Sequence, residues 1–400
     1  LVVVDTSTAF TMFGEMVILL LIQMGGLGYM TIATAAAILL GRELGVTQRI
    51  QLQELHGQYR LSGMIRLTRN TAIYALMIEA IGALILITRF AFDPNINGVR
   101  AIYYGIFHAV SAFCNAGFDL MGVIYGKFSG ITHYAQDPVV SLTIAGLIII
   151  GGMGYPVVEE LLQRKKKRRL TTHAKLVVYT TAALLVVGTV LILGIEWTNA
   201  DTIGNMPIGG KLLASFFQSV TARTSGYNTI NISQVHATTL FIMGILMFIG
   251  ASPGGTGGGI KTTTFVLMLL AVYSAAKGKT DTEAFGRRIP PEEVYRALTI
   301  TILAAILVLA ATTILTFTEV DVADANGRAS FMNVQFETIS AWGTVGLTTG
   351  ITPSLSTMGR LIIIFVMYIG RIGPLTAFAA LALREKPVRR RLAEEHVVIG

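Results

Sequence analysis

Ser340-Ala-Trp-Gly-Thr-Val-Gly-Leu347 is the stretch on which the reading of this chain turns. A short apolar run, 334–342, leads into it, and a long one, 361–383, follows. Glycine reaches positive φ at no steric cost, so its placement here marks a backbone that must turn. The same layout occurs twice more upstream. The tetrads Asn115-Ala-Gly-Phe118, Thr224-Ser-Gly-Tyr227 and Thr344-Val-Gly-Leu347 close short apolar runs at 101–114, 211–220 and 334–342. Each is followed by a second glycine mark: Ile150-Gly-Gly-Met-Gly-Tyr155, Phe248-Ile-Gly250 and Tyr368-Ile-Gly-Arg-Ile-Gly-Pro374. Gly226 to Gly250 and Gly346 to Gly370 are both 24 residues, and Gly117 to Gly151 is 34. Such self-similarity is the signature of a repeated unit.

The composition says where that unit lives. The 400 residues are 53% hydrophobic and only 14% charged, against about 25% charge in a soluble domain. This is the profile of a membrane protein. The single cysteine, Cys114, excludes a disulfide framework and a cysteine-rich metal site, and the six histidines show no metal-binding spacing. The net charge of +8 is not spread evenly: segments 42–69, 164–175, 277–296 and 384–391 hold 22 of the 31 lysines and arginines. Basic loops alternating with less basic ones place those four segments in the cytoplasm. They read as topology signals and lipid-headgroup contacts, not as a nucleic-acid surface.

Runs long enough to cross a bilayer, at or near ~20 residues, stand at 16–40, 71–87, 139–158, 176–195, 298–317 and 361–383. Segment 240–276 is different, because Gly250-Ala-Ser-Pro-Gly-Gly-Thr-Gly-Gly-Gly259 cannot stay helical. Its first part, 240–249, spans roughly 15 Å as a helix, about half the hydrocarbon core. This predicts a broken transmembrane helix that resumes near Thr262. The three short runs before the tetrads cannot span, and irregular backbone survives at membrane depth only when buried in protein or lining water. They read as re-entrant pore helices.

At the amino terminus Met24-Gly-Gly-Leu-Gly-Tyr29 matches the second glycine mark, and Leu1 falls in the slot of Phe118, Tyr227 and Leu347. No signal peptide opens the chain. The expectation is an all-α membrane protein of four span–pore helix–span repeats whose first repeat is truncated. Its boundaries are 1–60 for the truncated repeat and its loop, 61–170, 171–290 and 291–384 for the rest, and 385–400 for a cytoplasmic tail.

Thr344-Val345-Gly346 alone is a weak echo of the carbonyl-lined filter of potassium channels. The larger set resembles the Ktr/Trk/HKT superfamily of potassium and sodium transporters, nearest to the membrane subunit of the bacterial Ktr potassium-uptake system. Its marks are 22–28 (Ile-Gln-Met-Gly-Gly-Leu-Gly), 108–118, 220–228, the Gly-rich 250–261 and Gly370-Arg-Ile-Gly-Pro374, and together they run across essentially the whole chain. The resemblance implies four repeats in pseudo-fourfold array around one ion path. It makes Gly117, Gly226 and Gly346 the filter glycines, with Asn115, Ala116, Thr224, Ser225, Thr344 and Val345 as carbonyl donors and Phe118, Tyr227 and Leu347 closing the tetrads. Potassium, with sodium as coupled or alternative ion, is the expected cargo. A sodium-preferring transporter or channel is the competing reading, since the first filter glycine has no counterpart here. The resemblance also implies a homodimer in a bacterial plasma membrane. That dimer is seated on a cytosolic ring of RCK-type regulatory subunits carrying ATP or ADP; the chain itself is no enzyme and has no covalent cofactor.

Gly250-Ala251-Ser252-Pro253-Gly254 literally fits a nucleophile elbow on Ser252, but that motif needs a preceding strand, and here an apolar helix precedes it. Gly254 to Thr262 approaches a phosphate loop, but Ile260 separates the glycines from Lys261. By resemblance, Gly250, Ala251, Ser252, Pro253, Gly254, Gly255, Thr256, Gly257, Gly258, Gly259 and Lys261 form an intramembrane gating loop; a packing hinge is the alternative. Lys261 reads either as a charge at the cytoplasmic mouth or as a snorkelling side chain. Arg371 lies mid-span, where a cation costs at least ~2.5 kcal/mol, so it should face the bundle interior with partners. Those partners are either carbonyls of the loop, making it a latch and electrostatic barrier as the resemblance implies, or Glu79 or another span residue, making it a structural charge. Asp119 and Asn228, just after two tetrads, read either as cation-attracting groups of an outer vestibule or as solvated turn residues.

Overall fold

The computed structural model describes residues 1–27, 64–162, 169–319 and 331–373. Its helices are α1 (Met12–Leu27), α2 (Met64–Ala91), α3 (Gly98–Phe113), α4 (Pro138–Met153), α5 (Tyr155–Leu162) and α6 (Thr172–Glu196). They continue with α7 (Ile208–Thr221), α8 (Ala237–Phe248), α9 (Thr262–Ala276), α10 (Pro291–Thr318), α11 (Phe331–Trp342) and α12 (Thr357–Ile372). Three of these are long and apolar enough to cross a membrane by themselves: α6, α10 and the 69–91 part of α2.

Local chemistry sets the helix starts. Asn97 and Thr171 cap α3 and α6, their side chains accepting from the Arg100 and Ala174 amides; such caps satisfy amide donors that the first turn leaves free. Asp137 caps α4 with Pro138 in its first turn. Buried Glu196, at the end of α6, accepts from the His236 amide (2.9 Å) and so holds the start of α8. Glu319, just after α10, does the same for α12 through the Ser356 amide (2.8 Å) and hydroxyl (2.5 Å). Each long helix thus fixes the entry of the second helix of its own unit.

The packing order repeats as well. α2 lies along α3, α6 along α7 and α10 along α11. Each second helix then packs on the next short one: α1 on α3, α4 on α7 and α8 on α11. Phe107, Phe217 and Phe336 are buried at matching places in the three short helices. In a bilayer this contact is driven by close packing and hydrogen bonds, since lipid is as apolar as leucine.

Two expectations change, and two more fall partly outside the described residues. The run 139–158 is not one straight helix: α4 stops at Met153, and α5 leaves at 104°. Gly154 makes that corner at φ +85°, with Pro253 carbonyl where a Cβ would stand. The run 361–383 contains a helix that ends at Ile372, with Gly373 at φ +95°; 374–383 and the tail 385–400 lie outside the described residues. Of 16–40, helix α1 covers the part to Leu27, and the rest lies outside them too. Lastly, the chain is not wholly α. In the third basic segment Thr282–Ala284 (β1) pairs antiparallel with Arg287–Ile289 (β2). Phe285 and Gly286, both at positive φ, make the two-residue turn that matches strand twist.

Candidate functional site

The three tetrads, far apart in sequence, are neighbours in space. A Cβ on Gly117 would overlap Ser225 O and reach Gly226 Cα at 2.9 Å; one on Gly226 would overlap Val345 O and reach Gly346 Cα at 3.3 Å. One on Gly346 would meet Leu1 N at 3.4 Å. The three glycine backbones therefore follow one another in a fixed rotational order, with Leu1 next in line, its nitrogen donating to Gly346 O (2.9 Å).

Their backbones also match. Asn115, Thr224 and Thr344 have φ of +53°, +74° and +47°, and Gly117, Gly226 and Gly346 have +72°, +89° and +97°. Each tetrad is left-handed at its first and third positions, with no positive φ at the residue between. Among the described residues only Phe128 and Phe285 are other non-glycine positions with positive φ. Neighbouring tetrads are stitched together by Asn115 Nδ2 donating to Thr224 Oγ1 (3.1 Å) and by Tyr227 OH donating to Phe118 O (2.8 Å).

Each tetrad is tied to its short helix by a hydroxyl. Ser111 Oγ donates to Phe118 O (2.8 Å), Thr221 Oγ1 to Tyr227 O (2.6 Å), and Ser340 Oγ accepts from Gly346 N (3.2 Å). The Phe118 and Tyr227 carbonyls are thus committed to the scaffold, while the Gly346 carbonyl accepts from Leu1 N.

Below the tetrads lies the glycine-rich loop. Gly250 N donates to Ile260 O (2.8 Å), Ala251 N to Gly258 O (3.3 Å) and Thr262 N to Ala251 O (3.2 Å), and Ser252 Oγ meets Thr262 Oγ1 at 2.8 Å. Ser252 N and Thr256 N donate to Gly152 O and Gly151 O, tying the loop to the end of α4. Ser252 is therefore a buried structural hydroxyl. Gly257 lies against the Thr224 hydroxyl and Gly258 against that of Thr344, where a Cβ on either would overlap. Gly250 lies against Gly258 O, Gly255 against Gly152 O, and Pro253 O, Gly254 O and Gly259 complete the turn toward α4 and Phe248.

Lys261 does not snorkel: its Nζ folds back to Gly257 O (2.8 Å). Arg371, on α12, donates to Thr256 O of the loop and to Gly25 O of α1 (2.7 Å). It does not pair with Glu79, which instead accepts from Gln23 Nε2 (3.1 Å) and Cys114 Sγ (3.7 Å).

A cavity of 620 Å³ opens over the tetrads, lined by Gly117, Gly226 and Gly346 and by Asp119, Lys127 and Asn228 among others. Asp119 is half-buried there, and burial pushes its carboxyl up to about 6; the Met121 amide it accepts from opposes this, and nearby Asp5 adds to it.

Sequence reasoning missed several groups. Arg223, immediately before Thr224, is buried, with Thr181 Oγ1 at 3.4 Å and its Nε unpartnered. The tethering hydroxyls Ser111, Thr221 and Ser340 were also missed. Aligning the short helices from their filter ends would have exposed the hydroxyls; no pattern marks the arginine.

The family model for TrkH, cation transport protein, matches residues 1–387. The chain is 39% identical over 400 residues to Ktr system potassium uptake protein B of Vibrio alginolyticus, covering all of this chain and 84% of that protein. Against the protein of the same name from Bacillus subtilis it is 38% identical over 386 residues, covering 96% and 83%. Potassium/sodium uptake protein NtpJ of Enterococcus hirae is 35% identical over 402 residues, covering 100% and 86%. Among solved structures, the potassium transporter TrkH from Vibrio parahaemolyticus superimposes with a TM-score of 0.64 at 15% identity, covering 90% of this chain and 70% of that one.

Proposed function

The chain belongs to the TrkH family of cation transport proteins, and from that membership we propose that it carries potassium into a bacterial cell through a filter of single-glycine walls. It is a multi-pass membrane transporter and not an enzyme. The observation that carries the filter reading is the shared backbone of the three tetrads, each left-handed at its first and third residue and each seated against the next. Dehydrated potassium needs its water shell replaced by oxygens, and carbonyls turned to one side supply them. The carbonyls of Asn115, Ala116 and Gly117, of Thr224, Ser225 and Gly226, and of Thr344, Val345 and Gly346 are the oxygens in question. A pseudo-fourfold array, with repeats bounded at 61–170, 171–290 and 291–384 and a first one within 1–60, is supported by the rotational packing order of α1, α4 and α8.

Beneath this filter the loop 250–261 is the gate, and Arg371 its latch and electrostatic barrier. Its contact with the first residues of two tetrads supports that reading. The working unit is a homodimer on a cytosolic RCK-type ring, which would bring the nucleotide in trans; the relatives named as parts of a Ktr system favour a separate regulatory component. Sodium as cargo or coupled ion is the second reading, favoured by the likeness to a potassium/sodium uptake protein.

The test is potassium uptake in a potassium-transport-deficient strain, with Gly346→Ser beside the parent chain. Gly346 sits at φ +97° with only ordinary contacts around a new Cβ, so the substitution perturbs the dihedral before it perturbs packing. Uptake should fall by about tenfold or more, and the potassium-to-sodium preference should drop, since one carbonyl wall loses its geometry. Unchanged uptake and preference would rule out this filter.

A further inference from the structure

One position recurs behind all three tetrads. His108, Gln218 and Glu337 each follow a buried phenylalanine (Phe107, Phe217, Phe336) and lie three residues before the tethering hydroxyl. Each reaches the residue three places beyond its filter glycine. His108 Nε2 accepts from Leu120 N (3.4 Å), Gln218 Nε2 donates to Thr229 Oγ1 (3.1 Å), and Glu337 Oε1 accepts from Thr349 N (2.8 Å). The short helix therefore holds the chain at two points, at the third or fourth tetrad residue through the hydroxyl and just past the tetrad through this side chain.

The third grip differs in kind. Glu337 also accepts from Thr348 Oγ1 (2.6 Å), Thr349 Oγ1 (3.2 Å) and Thr352 Oγ1 (2.7 Å). A carboxylate is an acceptor only, and here a run of threonines supplies donors to both of its oxygens. No lysine or arginine side chain pairs with this buried group among the described residues; burial pushes its carboxyl up, and the Thr348 and Thr352 hydroxyls and the Thr349 amide pull it back down. A buried carboxylate satisfied by neutral donors keeps its field available to a cation nearby, unlike one neutralised in an ion pair.

We propose that Glu337 is a specificity-determining positioning residue: it clamps the outer end of the Thr344–Leu347 wall through the threonines and lends that wall a negative charge the other two lack. His108 and Gln218 make the same clamp in neutral form. The proposal rests on the filter reading above. Its consequence is that the three walls are unequal, with the tightest hold on a partly dehydrated cation at the Glu337 wall.

The test measures potassium and sodium uptake against concentration in proteoliposomes holding the full chain, as parent, Glu337→Gln, Thr352→Val and Gly346→Ser. Glu337→Gln keeps the size, removes the charge and places an amide donor against donors. It should raise the half-saturating potassium concentration about tenfold and cut the potassium-to-sodium preference several-fold, with maximal rate per reconstituted molecule within about twofold. Thr352→Val, which removes one donor and leaves the charge, should shift both by a smaller factor in the same direction. A merely structural role would lower reconstituted protein or maximal rate for both ions and leave the preference untouched; that outcome overturns the proposal. If Glu337→Gln does not reconstitute, an unchanged preference in Thr352→Val overturns it equally. Gly346→Ser separates the two readings: a shift there without one at Glu337 sinks only this inference, and no shift at Gly346 sinks the filter itself.

Discussion

Thr224 and Thr344 hold a left-handed backbone that a β-branched residue adopts at a cost of about 1–3 kcal/mol, so their surroundings must impose it. They do: the Thr224 hydroxyl accepts from Asn115 and lies on Gly257, and that of Thr344 lies on Gly258. Strain of this kind gathers where function needs a fixed geometry, and both threonines begin a tetrad. Asp119 shows the opposite economy, a carboxyl left half-open over the cavity and raised to about 6 by burial. Above that value it is charged and, on the vestibule reading, would draw cations toward the tetrads; below it the charge is lost. Uptake at limiting potassium should therefore fall as external pH drops through about 6, and Asp119→Asn should flatten the profile at the lower rate. A full pH response retained in Asp119→Asn would assign it elsewhere, with Asp5 the nearest other carboxyl. The glycines and threonines of the tetrads were legible from spacing alone. The clamping residues were not, because histidine, glutamine and glutamate share a position without sharing a letter.

At the scale of the element, the second helices are short by design. α4, α8 and α12 have 16, 12 and 16 residues, and α4 and α12 are each followed directly by a glycine at positive φ, Gly154 and Gly373. Hydropathy identified the break after α8, where ten residues of glycine-rich chain interrupt the run. It missed the one after α4, because Val157 and Val158 continue the apolar pattern past the corner and only backbone direction changes. The second glycine mark now has a physical cause. Gly151 and Gly370 lie flat against the carbonyls of Phe113 and Trp342, each two residues before its tetrad, where any side chain would collide. Gly154→Ala should test the corner, since it meets both an unfavourable φ and the Pro253 carbonyl. We expect a loss of about 1–3 kcal/mol, read as a lower melting temperature of the purified protein in detergent. An unchanged melting temperature would show the corner to be more yielding than its geometry implies.

At the scale of the molecule, Arg371 joins parts that sequence keeps far apart: it leaves α12, binds the loop at Thr256 and binds α1 at Gly25. A cation in a span was visible in the sequence as an anomaly. So was the loop as its partner, which Thr256 O supplies from 115 residues away; the carbonyl of Gly25, 346 residues away on α1, was not. Each hydrogen bond from a charged donor contributes about 1.5–3 kcal/mol, enough to bias a loop made of small residues. Arg371→Ala should free the loop and remove a positive charge beneath the tetrads, raising potassium flux several-fold in liposomes by that much bias. An equal or lower flux from well-folded protein would remove the latch from the mechanism. The repeated packing order was only partly legible: the period of the glycine marks announced repeats, while the seating of each second helix on the next short one depends on contacts between units.

The three short helices have one more property in common. α3, α7 and α11 all run into their tetrads by the carboxyl end, and a helix carries about −0.5 elementary charge there. Three such poles lead into one small volume in a medium that screens them poorly. They attract any monovalent cation and repel anions, but they cannot measure a radius. On the filter reading proposed above, charge sign and ion size are then judged by separate parts of the same chain, the first by helix ends and the second by the glycine-turned carbonyls. Substitutions that reshape a tetrad should alter which cation passes while leaving anions excluded.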